Sequence, residues 1–220
     1  LLRMANLGIV HGHTDASANG YVCMTQVFGV RYGDYGTARG FGALALHLVD
    51  ERGLGLYRGR VYMAYGTMVV PWTQPARAAR DFIRRAYQVL VNVADHTFAI
   101  YCGANEASGL LFSGEFLGNV RDTVERGLTL ARDANFQFVV NALLAQKVLL
   151  ARLQDGTDSH LAALPSVPEE GASTTLVDFE YWVYRLQGAL LSGDLPDALE
   201  ARRRAQACAS AGRTFAESGE

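Results

Sequence analysis

Three stretches of this chain set one alanine seven residues after another, shortly beyond a turn: Ala38 and Ala45, Ala79 and Ala86, Ala198 and Ala205. Seven residues are two turns of α-helix, so each pair lies on one stripe of its helix. A stripe of methyl groups lets a neighbouring backbone approach closely. Two of the stretches open on the same turn, Gly33-Asp34-Tyr35 and Gly193-Asp194-Leu195. The pattern predicts helical hairpins packed side by side, a repeat scaffold rather than a free-standing enzyme.

Apolar spacing predicts a helix from Leu1 to about His11, and a second, capped at Thr14-Asp15-Ala16-Ser17, to about Tyr32. Tyr35 to about Glu51 follows, with Phe41, Leu44, Ala45 and Leu48 inward, ended by Arg52-Gly53. Leu56 to about Val69 is a fourth helix; its β-branched run Val61–Val70 could read as a strand, but no partner strands accompany it. Pro71-Trp72-Thr73-Gln74-Pro75 breaks the chain. Helices are then expected over Ala76 to Ala94 (Ala79, Phe82, Ile83, Ala86, Tyr87 and Leu90 inward), His96 to Phe112, Leu117 to Asp133 and Phe136 to Leu153. A further pair runs from Thr174 or Thr175 through Trp182 and Leu190, then from Pro196 through Ala209.

Gly33, Gly114 and Gly193 stand about 80 residues apart, with the Trp72 turn near the first midpoint, so the unit is a hairpin of about 40 residues. The expected fold is all-α: a right-handed superhelix (α-solenoid) of about five helix-turn-helix hairpins. Its parts are hairpins over 1–154, an acidic Pro/Gly loop over 155–172, a final hairpin over 173–212 and a tail over 213–220. The residues expected to carry the repeat packing are Gly33, Ala38, Ala45, Ala79, Ala86, Gly114, Trp182, Gly193, Ala198 and Ala205.

Half of the 220 residues are hydrophobic, enough for a sizeable core, and a formal charge of −2 gives no basic field for nucleic acid or an anionic membrane. Cys23, Cys102 and Cys208 form no CxxC pair, which argues against a disulfide or zinc framework and for a reducing cytoplasm. No apolar run reaches the length of about 18 residues that a membrane span needs. The start at Leu1-Leu2-Arg3-Met4, within a helical pattern, is expected of a piece of a longer protein.

The Gly-Asp-Tyr turn with Ala38 and Ala45, and Gly193-Asp194 with Ala198, Ala205 and the aromatic Trp182, resemble tetratricopeptide repeats. The pattern departs at Val22, Thr25 and Gln26, where Trp, Leu and Gly are usual, and at Asn119, which replaces the first alanine of its unit. A second resemblance spans most of the chain: Gly33-Asp34-Tyr35, Phe41-Gly42, Leu44-Ala45-Leu46, Arg60-Val61-Tyr62, Gly66, Pro71-Trp72, Phe98-Ala99-Ile100-Tyr101, Leu110-Leu111, Gly114 and Phe179 to Leu191. These are similar to the helical segment that follows the AAA/STAND-type ATPase module in very large bacterial signalling proteins. Such proteins also carry a serine/threonine kinase, sensory domains and sometimes a histidine kinase. The resemblance implies a non-catalytic regulatory array that binds protein, most simply other domains of its own chain. The family's nucleotide and phospho-acceptor motifs lie outside this segment.

The residues themselves offer little chemistry. There is no GxxxxGK[ST] phosphate loop. His11, His13 and Asp15 lack the further ligands a metal needs. His96 and Cys102 are six apart and face differently, whereas Glu106 shares the Cys102 face. These three are the candidates for an alternative reading, a helical enzyme or small-ligand receptor with a buried pocket; another places the chain in a large ATP-dependent transcription regulator. Asp178 and Glu180 suit a helix start. Trp72 reads either as a wedge closing its turn or as an exposed anchor for a partner. Arg202-Arg203-Arg204 reads as a solvated run that also offers contacts to a neighbouring domain. No catalytic residue, cofactor or metal site is expected; Trp72, Arg202 and Arg203 are the candidate partner contacts.

Overall fold

The computed structural model describes residues 2–155 and 176–217, and every regular element among them is helical. The chain divides into two compact units, Leu1–Glu115 and Phe116–Glu220.

The first unit holds α1 (Leu2–His11), α2 (Asp15–Thr25), α3 (Tyr35–Asp50), α4 (Arg58–Ala64), α5 (Val70–Thr73), α6 (Ala79–Asn92) and α7 (His96–Phe112). A π-helical turn over Gln26–Arg31 extends α2, and another over Tyr65–Val69 joins α4 to α5 as one rod. Each rod lies against its neighbours in sequence: α2 on α3, α4 on α6, α6 on α7. The Val61–Val70 run is helical and buried on nearly every side, which is why its apolar residues show no single-face period. The helix also runs past Pro71 to Thr73 instead of breaking there. The Val70 amide reaches back to the Tyr65 carbonyl across the π turn, and the amide that Pro71 lacks falls at the junction with α5.

The core of this unit runs from Tyr21, Val22 and Met24 through Leu48, Val49, Val61 and Val69 to Ile83 and Leu90. Close approach between rods is made where side chains are missing. A Cβ on Gly42 would stand 2.9 Å from Val69 Cγ2, and one on Gly59 would stand 2.6 Å from Leu90 Cγ. Ala38, Ala45, Ala79 and Ala86 are buried. Tyr87, which the spacing puts inward, is 40% exposed: the buried stripe of α6 is Ala79, Ile83, Ala86 and Leu90, and Tyr87 lies on its flank.

The second unit holds α8 (Leu117–Asp133), α9 (Gln137–Asp155), α10 (Leu176–Ser192) and α11 (Leu195–Glu217). α8 packs on α9, α9 on α10 and α10 on α11. Val120, Val124, Leu128 and Ala131 of α8 and Leu143 of α9 are buried, as are Trp182 and Ala189 of α10 and Ala198, Ala201 and Ala205 of α11. Leu190, near the end of α10, is 56% exposed. The last helix runs from Leu195 to Glu217. Nearly all of the expected 155–172 loop, and the expected start at Thr174 or Thr175, lie outside the described residues.

One turn recurs. Backbone φ is positive at Gly33, Gly53, Ala94, Gly114, Asn135 and Gly193. The amide of the residue that follows donates to a carbonyl five residues back at Asp95, Glu115, Phe136 and Asp194, and six back at Asp34 and Leu54. This is a Schellman-type closure that uses carbonyls the helix end leaves over. Asp34, Asp95 and Asp194 then cap the next helix, accepting from the amides of Thr37, Phe98 and Asp197. Ala94-Asp95 is therefore a third copy of the Gly-Asp turn. It is hidden in the sequence because alanine stands where glycine does elsewhere.

Candidate functional site

Trp72 ends the α4–α5 rod and is 58% exposed. Its ring stacks on Tyr35, with centroids 5.2 Å apart and planes at 24°, so one face is covered and the other meets solvent. Tyr35 is set there by the Gly33-Asp34 turn and lies over bare backbone: a Cβ on Gly29 would be 3.2 Å from its ring. On the neighbouring turn Tyr32 is 67% exposed and Val30 72%. Trp72 is thus on the surface rather than wedged beneath its turn. Tyr35, quoted in the sequence as part of a turn, is its platform.

The His96, Cys102 and Glu106 set does not assemble into a nucleophile and base. His96 is exposed on the first turn of α7, whereas Cys102 is buried on the inner face. Burial, with the negative charges of Glu106 and Asp95, pushes the Cys102 thiol up to about 12, so it stays protonated. Glu106 pairs with Arg84 of α6 at 3.5 Å. Asp95 caps α7 and also binds Arg60 Nε at 2.7 Å, while the Arg60 guanidinium lies 4.1 Å from the Phe98 ring centre. These groups tie α4, α6 and α7 together.

His13 and Asp15 are spent on structure as well. The His13 Nδ1 is 3.2 Å from the buried Tyr21 hydroxyl, and Asp15 accepts from the Leu56 amide at 2.8 Å. Among the described residues no group of three or more His, Cys, Asp or Glu could hold a metal ion, and no helix is long and apolar enough to cross a membrane.

In the second unit the charged residues fall into two sets. Arg202 and Arg203 are exposed on α11, with Arg203 and Arg204 both bonded to Glu200; those hydrogen bonds hold the Glu200 carboxyl down to about 2. Deeper, Asp197 receives Arg152 at 2.9 Å and Arg185 at 2.7 Å, with side chains only 5% exposed for Arg152 and 11% for Asp197. Burial alone would raise the Asp197 carboxyl, but hydrogen bonds from Arg185 and Arg152 outweigh it and hold it below the usual range. Gly188 makes room for this: a Cβ there would stand 2.7 Å from Arg152 Cδ. The cluster joins α9, α10 and α11. No sequence signal announced it, because its members lie far apart in the chain and on three separate helices.

Compared with protein-family models, curated proteins and solved structures, the chain matches none of them. The tetratricopeptide likeness therefore rests on the residues quoted for it.

Proposed function

We propose that this chain is a tetratricopeptide-like α-solenoid, its hairpins wound into a right-handed superhelix, that works by binding protein and not by catalysis. The partner is another domain of a longer signalling chain of the ATPase–kinase type. In this reading the array couples the nucleotide switch to neighbouring domains by opening or closing around a docked module, a two-state rearrangement. Trp72 on its Tyr35 platform, with Arg202 and Arg203, makes the contacts.

The observation that carries this reading is the recurring turn. A left-handed residue and a back-bonded amide close helix after helix, three times with a capping aspartate, so one small unit is used again and again. Its interior polar groups bind one another and hold helices together. The exposed aromatic pair is the kind of rigid, amphipathic anchor that dominates binding energy at protein interfaces.

Two measurements test it. Small-angle scattering should give a radius of gyration well above the value of about 17 Å for a globule of this length; a value near that figure overturns the superhelix. Titration against the parent's isolated ATPase and kinase modules should show binding that Trp72→Ala weakens with unfolding stability unchanged. Binding to neither module overturns the scaffold role.

A further inference from the structure

Where the start of α6 meets the end of α7, the first unit has an open cleft of ≈ 320 Å³. Ile83 and Leu110 floor it, and Arg77, Arg80, Asn105, Glu106 and Glu115 stand around it. We infer that this cleft is a binding site for a small organic monocarboxylate with an apolar body, a function independent of the scaffold role.

Charge sets the sign and size of the ligand. Arg80 reaches Glu115 at 3.3 Å and Arg84 reaches Glu106 at 3.5 Å, so those carboxylates are each balanced. Arg77 is exposed, and its side chain forms no ion pair or hydrogen bond among the described residues. Counting Arg84, which reaches Glu106 from outside the lining, three guanidiniums stand against the two lining carboxylates and leave the charge of Arg77 over. That excess matches one carboxylate; a phosphate dianion would carry its second charge beside Glu106 and Glu115, where it is repelled. Arg80 holds Glu115 only through a long bond from Nη1, which a ligand carboxylate can compete for. A guanidinium with free donors binds carboxylate in a forked geometry.

Shape sets the rest. The α7 wall is bare at Gly109, where an added Cβ meets nothing within 4 Å, so an apolar body can lie against backbone above Ile83 and Leu110. The Asn105 side chain has no hydrogen-bond partner among the described residues and offers an amide donor to the same space. The volume is at the small end of ligand pockets, enough for roughly ten to twenty non-hydrogen atoms.

The test uses the full chain and backbone amide shifts of Gly109 and Leu110 in ¹⁵N-resolved spectra. The probes are 4-phenylbutanoate, its neutral primary amide, inorganic phosphate, and acetyl-Gly-Phe, which presents the same carboxylate at a peptide terminus. The acid should shift both amides saturably, with the neutral amide and phosphate at least about tenfold weaker. Arg77→Gln should weaken the acid about tenfold, and Gly109→Leu, which fills the cleft, should abolish the shifts. Gly109→Ala and the helical circular dichroism of each variant control for folding. Tighter binding of acetyl-Gly-Phe than of phenylbutanoate makes the source a chain terminus, and the reverse makes it a free acid; both carry the shared chemistry. No saturable shift with either carboxylate, equal affinity for acid and neutral amide, or unchanged binding in Gly109→Leu overturns it.

Discussion

Replacing Asp197 by asparagine keeps the shape of its side chain and removes the negative charge that Arg152 and Arg185 share. In the native unit the Oδ2 atom is 2.9 Å from Arg152 Nη2 and the Oδ1 atom 2.7 Å from Arg185 Nη2. All three side chains are at least three-quarters buried, with Arg185 the most open at 24%. Water cannot take over the role of the carboxylate for Arg152. Breaking a buried ion pair by removing one partner costs about 3–5 kcal/mol, a large part of the total of about 5–15 kcal/mol available to a domain. With a urea dependence of about 2 kcal/mol per molar, the midpoint should fall by about 1.5–2.5 M. The chain has two tryptophans, Trp72 in the first unit and Trp182 in the second. Trp72→Phe therefore leaves Trp182 as the single reporter, with the Arg185 and Arg204 guanidiniums 5.4 and 5.6 Å from its ring. Adding Arg152→Met to Asp197→Asn should recover much of the loss, because it removes a buried charge that has lost its Asp197 counter-ion. The folded carboxyl is depressed, so its contribution is present at neutral pH and is lost as the pH falls below the ordinary carboxylate range. The wild-type midpoint should drop there, while that of Asp197→Asn lacks this component. A midpoint shift below about 0.3 M on removing the charge would refute the reasoning, since it would mean that the two arginines are solvated after all.

Other expectations follow from single positions. Gly59→Ala should cost about 1–3 kcal/mol in urea unfolding, because its methyl would overlap Leu90, whereas Gly40→Ala, with nothing within 4 Å of the new carbon, should stabilise by about 0.5–1 kcal/mol. Ala94→Gly should stabilise by about 1 kcal/mol by relieving a left-handed alanine (φ 57°), and Gly33→Ala should lose a similar amount. Burial raises the Glu180 carboxyl, so its ionisation opposes folding above the ordinary carboxylate range. Glu180→Gln should therefore be more stable than wild type at pH 7, and the gain should vanish in acid. Cys102 should resist alkylation at pH 8 until the unit unfolds, as followed by mass spectrometry with and without urea.

Much of the helical order was legible along the chain because its causes are local. Periodic apolar stripes, the Gly-Asp turns and the alanine pairs act over seven residues or fewer, and they place rods and turns without knowledge of any distant residue. The same locality explains the misses. Ala94 takes the left-handed turn that glycine takes elsewhere, because the Asp95 amide bond back to Leu90 and the Asp95–Arg60 pair hold it there. The Pro71 break was overruled by a π turn, whose hydrogen-bond shift leaves a place for a residue without an amide proton. Tertiary structure alone decided the rest. Trp72 lies on the surface with one face covered by Tyr35, which comes from another helix. Arg152, Arg185 and Asp197 meet only once three helices are packed, and the cleft exists only where Arg77 and Arg80 come opposite Asn105, Glu106 and Glu115. Backbone hydrogen bonds within a helix are fixed by neighbours in sequence; the neutralisation of a buried charge depends on groups brought from far along the chain.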